Sequence, residues 1–263
     1  MLALHEFPMR PFKDHFSANA SAYAAYRPDY PPGLFAFLAG QVSRHELAWD
    51  CATGNGQAAR GLAAHFREVV GSDASSQQIE IALPYAGVRY RVAPAECSGL
   101  ESASVDLVTV AQAAHWFDLQ LFYGEVKRVL RPDGVLALWC YERLRVDPAI
   151  DPLIESFYTD TLGPYWPPER HWVESGYRDL PFPFEEVPVP VFEMRAEWSL
   201  DQLMGYFATW SAVKAYRAAL HQNPLPALRA SLEAYWISNE GRKTLKWPLS
   251  LRLGRAGVRA AVV

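Results

Sequence analysis

Residues Glu46 to Gln57, ELAWDCATGNGQ, read as a buried strand that runs into a tight glycine turn and then a helix. Leu47, Ala48 and Trp49 form the apolar end of the strand, and Gly54 and Gly56 reach backbone angles closed to other residues. Gln57 to Phe66 has helical composition, so a helix N-terminus would direct its free N–H groups at whatever lies above the turn. A second short apolar strand, Val69 to Ser72, ends in Asp73. A carboxylate there is placed to accept hydrogen bonds from both hydroxyls of a ribose, so the expected ligand contains a nucleoside.

The run Asp50-Cys-Ala-Thr-Gly-Asn-Gly56 resembles the glycine motif of class I S-adenosylmethionine-dependent methyltransferases, in which an acidic residue leads three alternating small residues. Ala52 stands where that family usually carries its first glycine. Alanine disfavours a positive φ, so either the turn differs slightly or the position does not need that angle. The resemblance implies that Asp50, Ala52, Gly54 and Gly56 form a turn around S-adenosyl-L-methionine, with Asp73 on its ribose.

Composition narrows the class of function. A chain of 263 residues, 50% hydrophobic, can bury a full core as one large domain or a domain with an appended cap. A net charge of −4, from 25 basic and 29 acidic residues, provides no broad basic surface for nucleic acid. Cys51, Cys97 and Cys140 lie far apart, without a Cys-x-x-Cys pair, so neither a disulfide framework nor a metal site is expected. No segment has the length and apolarity of a bilayer span, and the N-terminus lacks a signal-like run. The expectation is a cytoplasmic monomer or homodimer acting on a small-molecule methyl acceptor, without nucleic acid, membrane or metal.

Along the chain, Ala18 to Tyr26 favours a helix that Pro28 stops, placing Phe16, Tyr23 and Arg27 on one face. This helix either simply packs as a lid or, like the similar Tyr…Arg-Pro-x-Tyr-Pro segment of many small-molecule methyltransferases, closes over the cofactor through Tyr23 and Arg27. Arg27 has the charge and fork geometry to pair with the methionine carboxylate. Leu34 to Leu38 is a helical run, Ser75 caps a helix reaching Tyr85, and Val88 to Ala93 is the third strand. The resembled family often has Asp-Ala at the adenine amino group; Pro94-Ala95-Glu96 lacks that acid, leaving Ala95 and Glu96 to border adenine through backbone groups.

Val105 to Gln112 is apolar enough for the centre of a parallel sheet. Its carboxyl end places Gln112, His115 and Trp116 near a reaction centre, with a structural histidine as the bland alternative. An alcohol or phenol acceptor benefits from a general base, and His115 is the histidine that falls in place; a carboxylate or amine needs none. Asp118 caps a helix burying Leu119, Phe122, Val126 and Val129; Arg131 to Gly134 is a turn, and Val135 to Tyr141 the fifth strand. The Leu-Arg-Pro-Asp-Gly-Val-Leu run and the His-Trp-Phe-Asp segment resemble small-molecule members of the family, methyltransferase type 11 and trans-aconitate methyltransferases among them.

Strict strand and helix alternation from Leu47 predicts a doubly wound, Rossmann-like α/β fold: a mostly parallel seven-stranded sheet with a final antiparallel strand. Residues 1–142 would form the lid helix and cofactor-binding core, and 143–263 a proline- and aromatic-rich cap plus the closing strands. Glu186 to Trp198 and Trp247 to Leu253 read as strands, Leu200 to Leu220 and Leu225 to Ile237 as helices. Tyr141 and Trp166 are candidate substrate contacts, Trp139 reads as core, and Arg143, Arg145 and Arg170 could receive an acid. Two other functions compete: a short-chain nicotinamide oxidoreductase using the Tyr123-x-x-x-Lys127 pair, and cofactor binding without catalysis.

Overall fold

The computed structural model describes residues 27–236 and 241–256. The predicted N-terminal helix with Phe16 and Tyr23 lies outside them, as does Ile237. Five strands, β1 (Leu47–Cys51), β2 (Glu68–Asp73), β3 (Val88–Val92), β4 (Val105–Ala111) and β5 (Leu130–Tyr141), run parallel in the order β3-β2-β1-β4-β5. The long β8 (Arg242–Arg255) lies antiparallel to β5, pairing Val135 with Arg255 through Tyr141 with Leu249. Its outer edge is shared by the two-residue β6 (Glu185–Glu186) at one end and β7 (Phe192–Ser199) at the other. The sheet is therefore seven positions wide but has eight strands: Pro188 and Pro190, which cannot donate to a ladder, split the strand predicted over 186–198.

Helices α1 (Pro32–Ala39), α2 (Gln57–Leu62), α3 (Ser76–Ile81) and α4 (Leu119–Val129) precede and connect the parallel strands. Two cores follow from the period of two in each strand. Val135, Ala137 and Trp139 pack with Leu34, Leu38 and Leu62 on one face, while Leu136, Leu138 and Cys140 pack with Phe122, Val126 and Val129 on the other. Trp139 is fully buried, with Tyr30 edge-on at 5.5 Å, as its core reading requires. The predicted caps hold: Ser75 Oγ accepts from Gln78 N–H, and Asp118 Oδ1 from Leu121 N–H. Arg131 to Gly134 is not a separate turn but a bulge within β5, where Val105 pairs with Leu130 and Leu107 already with Val135.

Beyond β5 the chain forms α5 (Asp151–Ser156), a wide turn over Phe157–Thr161, a tight turn over Gly163–Tyr165 and α6 (Arg170–Glu174). The predicted helix over 200–220 is two, α7 (Leu200–Ala208) with a Ser199–Gln202 capping box and α8 (Ser211–Leu220); α9 (Leu225–Glu233) follows. Trp198, Tyr206, Phe207, Trp210 and Trp247 join this region to the sheet through a contiguous set of ring contacts.

Buried Asp106 ties the start of β1 to β4 and β5. Its Oδ2 accepts from the N–H groups of Glu46 and Leu47, and its Oδ1 pairs with Arg131 at 2.8 Å. Asp106→Ala leaves two amides and a guanidinium without their acceptor, and is expected to lower unfolding free energy by about 3 kcal/mol, read by urea denaturation.

Candidate cofactor and acceptor site

The glycine turn is held from below. Asp50, at the end of β1, is fully buried; its two oxygens accept from Thr53 Oγ1 at 2.6 Å and Thr109 Oγ1 at 2.7 Å. Burial pushes its carboxyl up from 3.8 to about 6, with the two threonine hydrogen bonds opposing that rise. Asp50 therefore acts as the peg that fastens the turn to β4, holding the turn from within through both of its oxygens. Thr53 N–H donates to Ser72 carbonyl, and Gly56 N–H to Thr53 carbonyl.

Ala52 sits at φ +54°, in the left-handed region, followed by Gly54 at +56° and Gly56 at +83°. The expectation of an altered or undemanding turn is overturned: alanine takes up the angle itself, a strain of about 1 kcal/mol borne by the surrounding hydrogen bonds. A Cβ on Gly56 would lie 2.0 Å from Tyr90 Oη, whereas one on Gly54 would meet, among the described residues, only Gln78 Oε1, at 3.7 Å. The space above Gly54 is thus where a ligand can approach the backbone closely.

Asp73, at the tip of β2, accepts from Gly54 N–H at 3.0 Å through Oδ2 and from Ser75 N–H at 2.9 Å through Oδ1. These two bonds fix the carboxylate beside the glycine turn, the place from which an acid at the tip of the second strand meets a ribose diol in this kind of fold. Ala93 N–H binds Asp73 carbonyl and carries the chain into buried Ala95. Glu96 Oε1 accepts from Asp118 N–H at the start of α4, so its side chain is committed there and its backbone is what remains to border a base.

The carboxyl end of β4 carries the second half of the site. Gln112 stands at φ +57°; its N–H donates to Trp139 carbonyl, and its Oε1 accepts from Tyr141 N–H at 2.7 Å. This non-glycine outlier at a strand end locks Gln112 between β4 and β5. The following turn, Ala114–Trp116, presents His115, whose Nδ1 lies 2.8 Å from Tyr177 Oη and whose ring packs on Trp116 at 4.6 Å. Burial first, and then the charge of Arg170, push the His115 imidazole down to about 3. A ring so weakly basic is poorly matched to proton abstraction near neutral pH, against its expected use as a general base.

Tyr141 Oη accepts a hydrogen bond from Arg27, whose guanidinium lies over the Tyr141 and Tyr206 rings at 5.4 and 5.0 Å. Trp166 stacks on Tyr158 at 4.6 Å, and Arg170 lies 4.8 Å above Trp166. The structure thus groups Arg27, Gln112, His115, Trp116, Tyr141 and Trp166 over the carboxyl ends of β4 and β5. Tyr23 lies outside the described residues. Among the described residues no cluster of His, Cys, Asp and Glu could hold a metal, and no helix is long and apolar enough to cross a membrane.

Two contributors escape sequence reasoning. Tyr177 sits at φ +61°, fully buried, in a Ser-Gly-Tyr turn with no signal of its own. Thr209, at the end of α7, is 3.4 Å from Arg27 Nη2. The dehydrogenase-like pair is elsewhere: Tyr123 Oη donates to Pro181 carbonyl, its ring packs on Phe182 and Phe184, and Lys127 lies 5.5 Å over Phe184. Both serve packing on the α4 face, so the nicotinamide reading loses its catalytic pair.

A doubly wound sheet with a glycine turn after β1, an acid at the tip of β2 and a group of aromatic side chains beyond the carboxyl ends of β4 and β5 is the arrangement of a nucleoside-binding enzyme. Comparison with known proteins supplies the family. The methyltransferase domain family matches residues 49–138. A Dictyostelium discoideum protein assigned as a methyltransferase is 35% identical over 238 residues, covering 89% of this chain and 90% of its own. A solved Anaeromyxobacter dehalogenans structure assigned as a type II methyltransferase is 44% identical with a TM-score of 0.84, over 88% of this chain and 99% of its own. A Saccharomyces cerevisiae protein assigned as an S-adenosylmethionine-dependent methyltransferase is 34% identical over 47% of this chain and 45% of its own. The chain belongs to the S-adenosylmethionine-dependent methyltransferase family.

Because Asp50 is more basic folded than unfolded, the native state holds its proton longer as pH rises. Its contribution to stability is greatest below pH 4 and declines as pH rises through 6. The unfolding free energy of an Asp50→Asn variant, relative to the wild type, is expected to shift in the variant's favour by about 2 kcal/mol between pH 4 and pH 7, measured by denaturant titration at both pH values.

Proposed function

We propose that the protein transfers the methyl group of S-adenosyl-L-methionine to a small-molecule acceptor, a carboxylic acid or hydroxyl compound, over the carboxyl ends of β4 and β5. The observation that carries this reading is the Gly54–Asp73 pairing beside the strained Ala52 turn, which leaves an open backbone approach next to a fixed carboxylate. Asp73 would hold the ribose, Gly54 and Gly56 the close approach, and Ala95 and Glu96 the edge of adenine. When bound, the cofactor supplies an electrophilic methyl group on a positively charged sulfur.

The chain's own task is then alignment and exclusion of water. Gln112, locked at its unusual φ, would border the methyl group. Arg27 would hold the methionine carboxylate while its stem packs against Tyr141 and Tyr206. The rings of Trp116 and Tyr141 offer negative faces to a cation and an apolar wall to an acceptor. A small-molecule acceptor agrees with the closed aromatic cap and with the absence of a broad basic surface.

Calorimetry with S-adenosylhomocysteine and NADH tests this reading. The former is expected to bind in the micromolar range and NADH at least a hundredfold more weakly, with Asp73→Ala losing tenfold or more in S-adenosylhomocysteine affinity. Binding of the dinucleotide alone would overturn it.

A further inference from the structure

Among the described residues Arg170 is a cation without an anion. It opens α6, which packs on the Ala114–Trp116 turn, and it sits partly buried against the stacked rings of Tyr158 and Trp166. Its Nε donates to Tyr158 Oη at 2.9 Å, and it makes no ion pair among the described residues. Nearby Glu174 does not pair with it, because that carboxylate accepts the Tyr158 hydroxyl proton at 2.6 Å. Arg170 therefore keeps its terminal nitrogens uncommitted. By contrast Arg143 pairs with Glu155, and Arg252 with Glu186 and the carbonyls of Tyr177 and Leu180. A guanidinium removed from bulk water and left without a carboxylate is costly unless a ligand completes it.

The second observation concerns the direction of the hydrogen bond at His115. Tyr177 is fully buried, and among the described residues its hydroxyl meets His115 at two points, the ring Nδ1 and the backbone N–H, which can only donate to it. If Nδ1–H donated to the hydroxyl, the phenolic hydrogen would have no acceptor in a fully buried site; if the hydroxyl donates to Nδ1, that hydrogen is paired and the Nε2–H alone awaits an acceptor. The second arrangement puts the ring proton on Nε2, so the histidine offers a hydrogen-bond donor beside a field of positive charge. The strained Gly176–Tyr177 turn, both residues at φ +61°, is held for this contact by Arg252 on the Tyr177 carbonyl.

We propose that Arg170 and His115 Nε2–H together form an oxyanion subsite for the methyl acceptor, Arg170 supplying the charge and His115 a neutral donor. The proposal rests on the methyltransferase reading and deepens it: the acceptor carries a carboxylate, or a phosphate of the same bidentate chemistry, and His115 positions it rather than removing a proton. An acceptor whose attacking atom is already unprotonated suits a site that has a donor where a base was expected.

The test uses the full-length protein saturated with S-adenosylhomocysteine and three probes of one shape: benzoate, phenyl phosphate and the neutral benzamide, titrated by calorimetry. The wild type is expected to bind benzoate or phenyl phosphate at least tenfold more tightly than benzamide, and the preferred anion identifies the oxyanion. Arg170→Gln removes that preference while its S-adenosylhomocysteine affinity stays within twofold, and Arg170→Lys, which keeps the charge but loses the fork, retains part of it. His115→Gln, which keeps a donor, binds the anion within about threefold of the wild type, and His115→Ala loses tenfold. Imidazole nitrogen NMR is expected to show His115 protonated at Nε2 and bare at Nδ1 at neutral pH.

Equal binding of all three probes, no binding of either anion, or an unchanged preference in Arg170→Gln overturns the subsite. The opposite tautomer or an imidazolium overturns the donor role. A protein that binds the anions but not S-adenosylhomocysteine would instead remove the methyltransferase reading and leave the subsite standing.

Discussion

A single buried carboxylate organises this molecule. Asp50 gives one oxygen to Thr53 in the glycine turn and the other to Thr109 in β4, so the turn that approaches the cofactor and the strand that leads to the acceptor share one anchor. Burial makes this expensive, since a charged form in that position must rely on the two hydroxyls for what water would supply. The arrangement nonetheless fixes two loops that meet the ligand from opposite sides. Ala52 holds a positive φ because its neighbours on both sides are tied, by Asp50–Thr53 within the turn and by Thr53 N–H to Ser72 carbonyl across to β2.

From that anchor the site divides into a rigid half and an aromatic half. The cofactor half is mostly backbone and short side chains: Gly54, Asp73, Ser75 and the Ala93 amide, each in a hydrogen bond set by the parallel register of β1, β2 and β3. The acceptor half consists of side chains from distant parts of the chain, with Arg27, Tyr141, Tyr158, Trp166, Arg170 and Tyr177 converging over β4 and β5. Polar groups there are sparse and directional, which is what small-molecule recognition requires: an apolar wall for area and a few fixed donors for orientation.

The two halves differ in how far they could be read from sequence. The glycine-turn half lies within one strand–turn–helix–strand segment, so local pattern and the family resemblance together pointed to Gly54, Gly56 and Asp73, which the structure brings to one turn. Asp50 was picked out by the same motif, but its buried role depends on Thr109, far along the chain, and periodicity carries no information about such a pairing. Ala52 defied propensity because tertiary hydrogen bonds override a local cost of about 1 kcal/mol. In the cap, Pro188 and Pro190 announced an irregular strand edge without showing that β8 would accept separate strands at its two ends. Tyr177 had no signal at all, since its contact with His115 arises only after α6 folds back over β4. Arg170 was visible as a possible acid receptor, but its lack of a carboxylate partner is a property of the folded cap.

The central claim is that the turn at Ala52–Gly56 and the carboxylate of Asp73 bind the nucleoside of S-adenosyl-L-methionine with its reactive end toward Gln112. A crystal structure of the protein with S-adenosylhomocysteine tests it most directly. The account expects both ribose hydroxyls within hydrogen-bond distance of Asp73, the adenine edge against Ala95 and Glu96, and the sulfur facing Gln112 and Tyr141. Density for the ligand elsewhere, or a ribose without contact to Asp73, would contradict it.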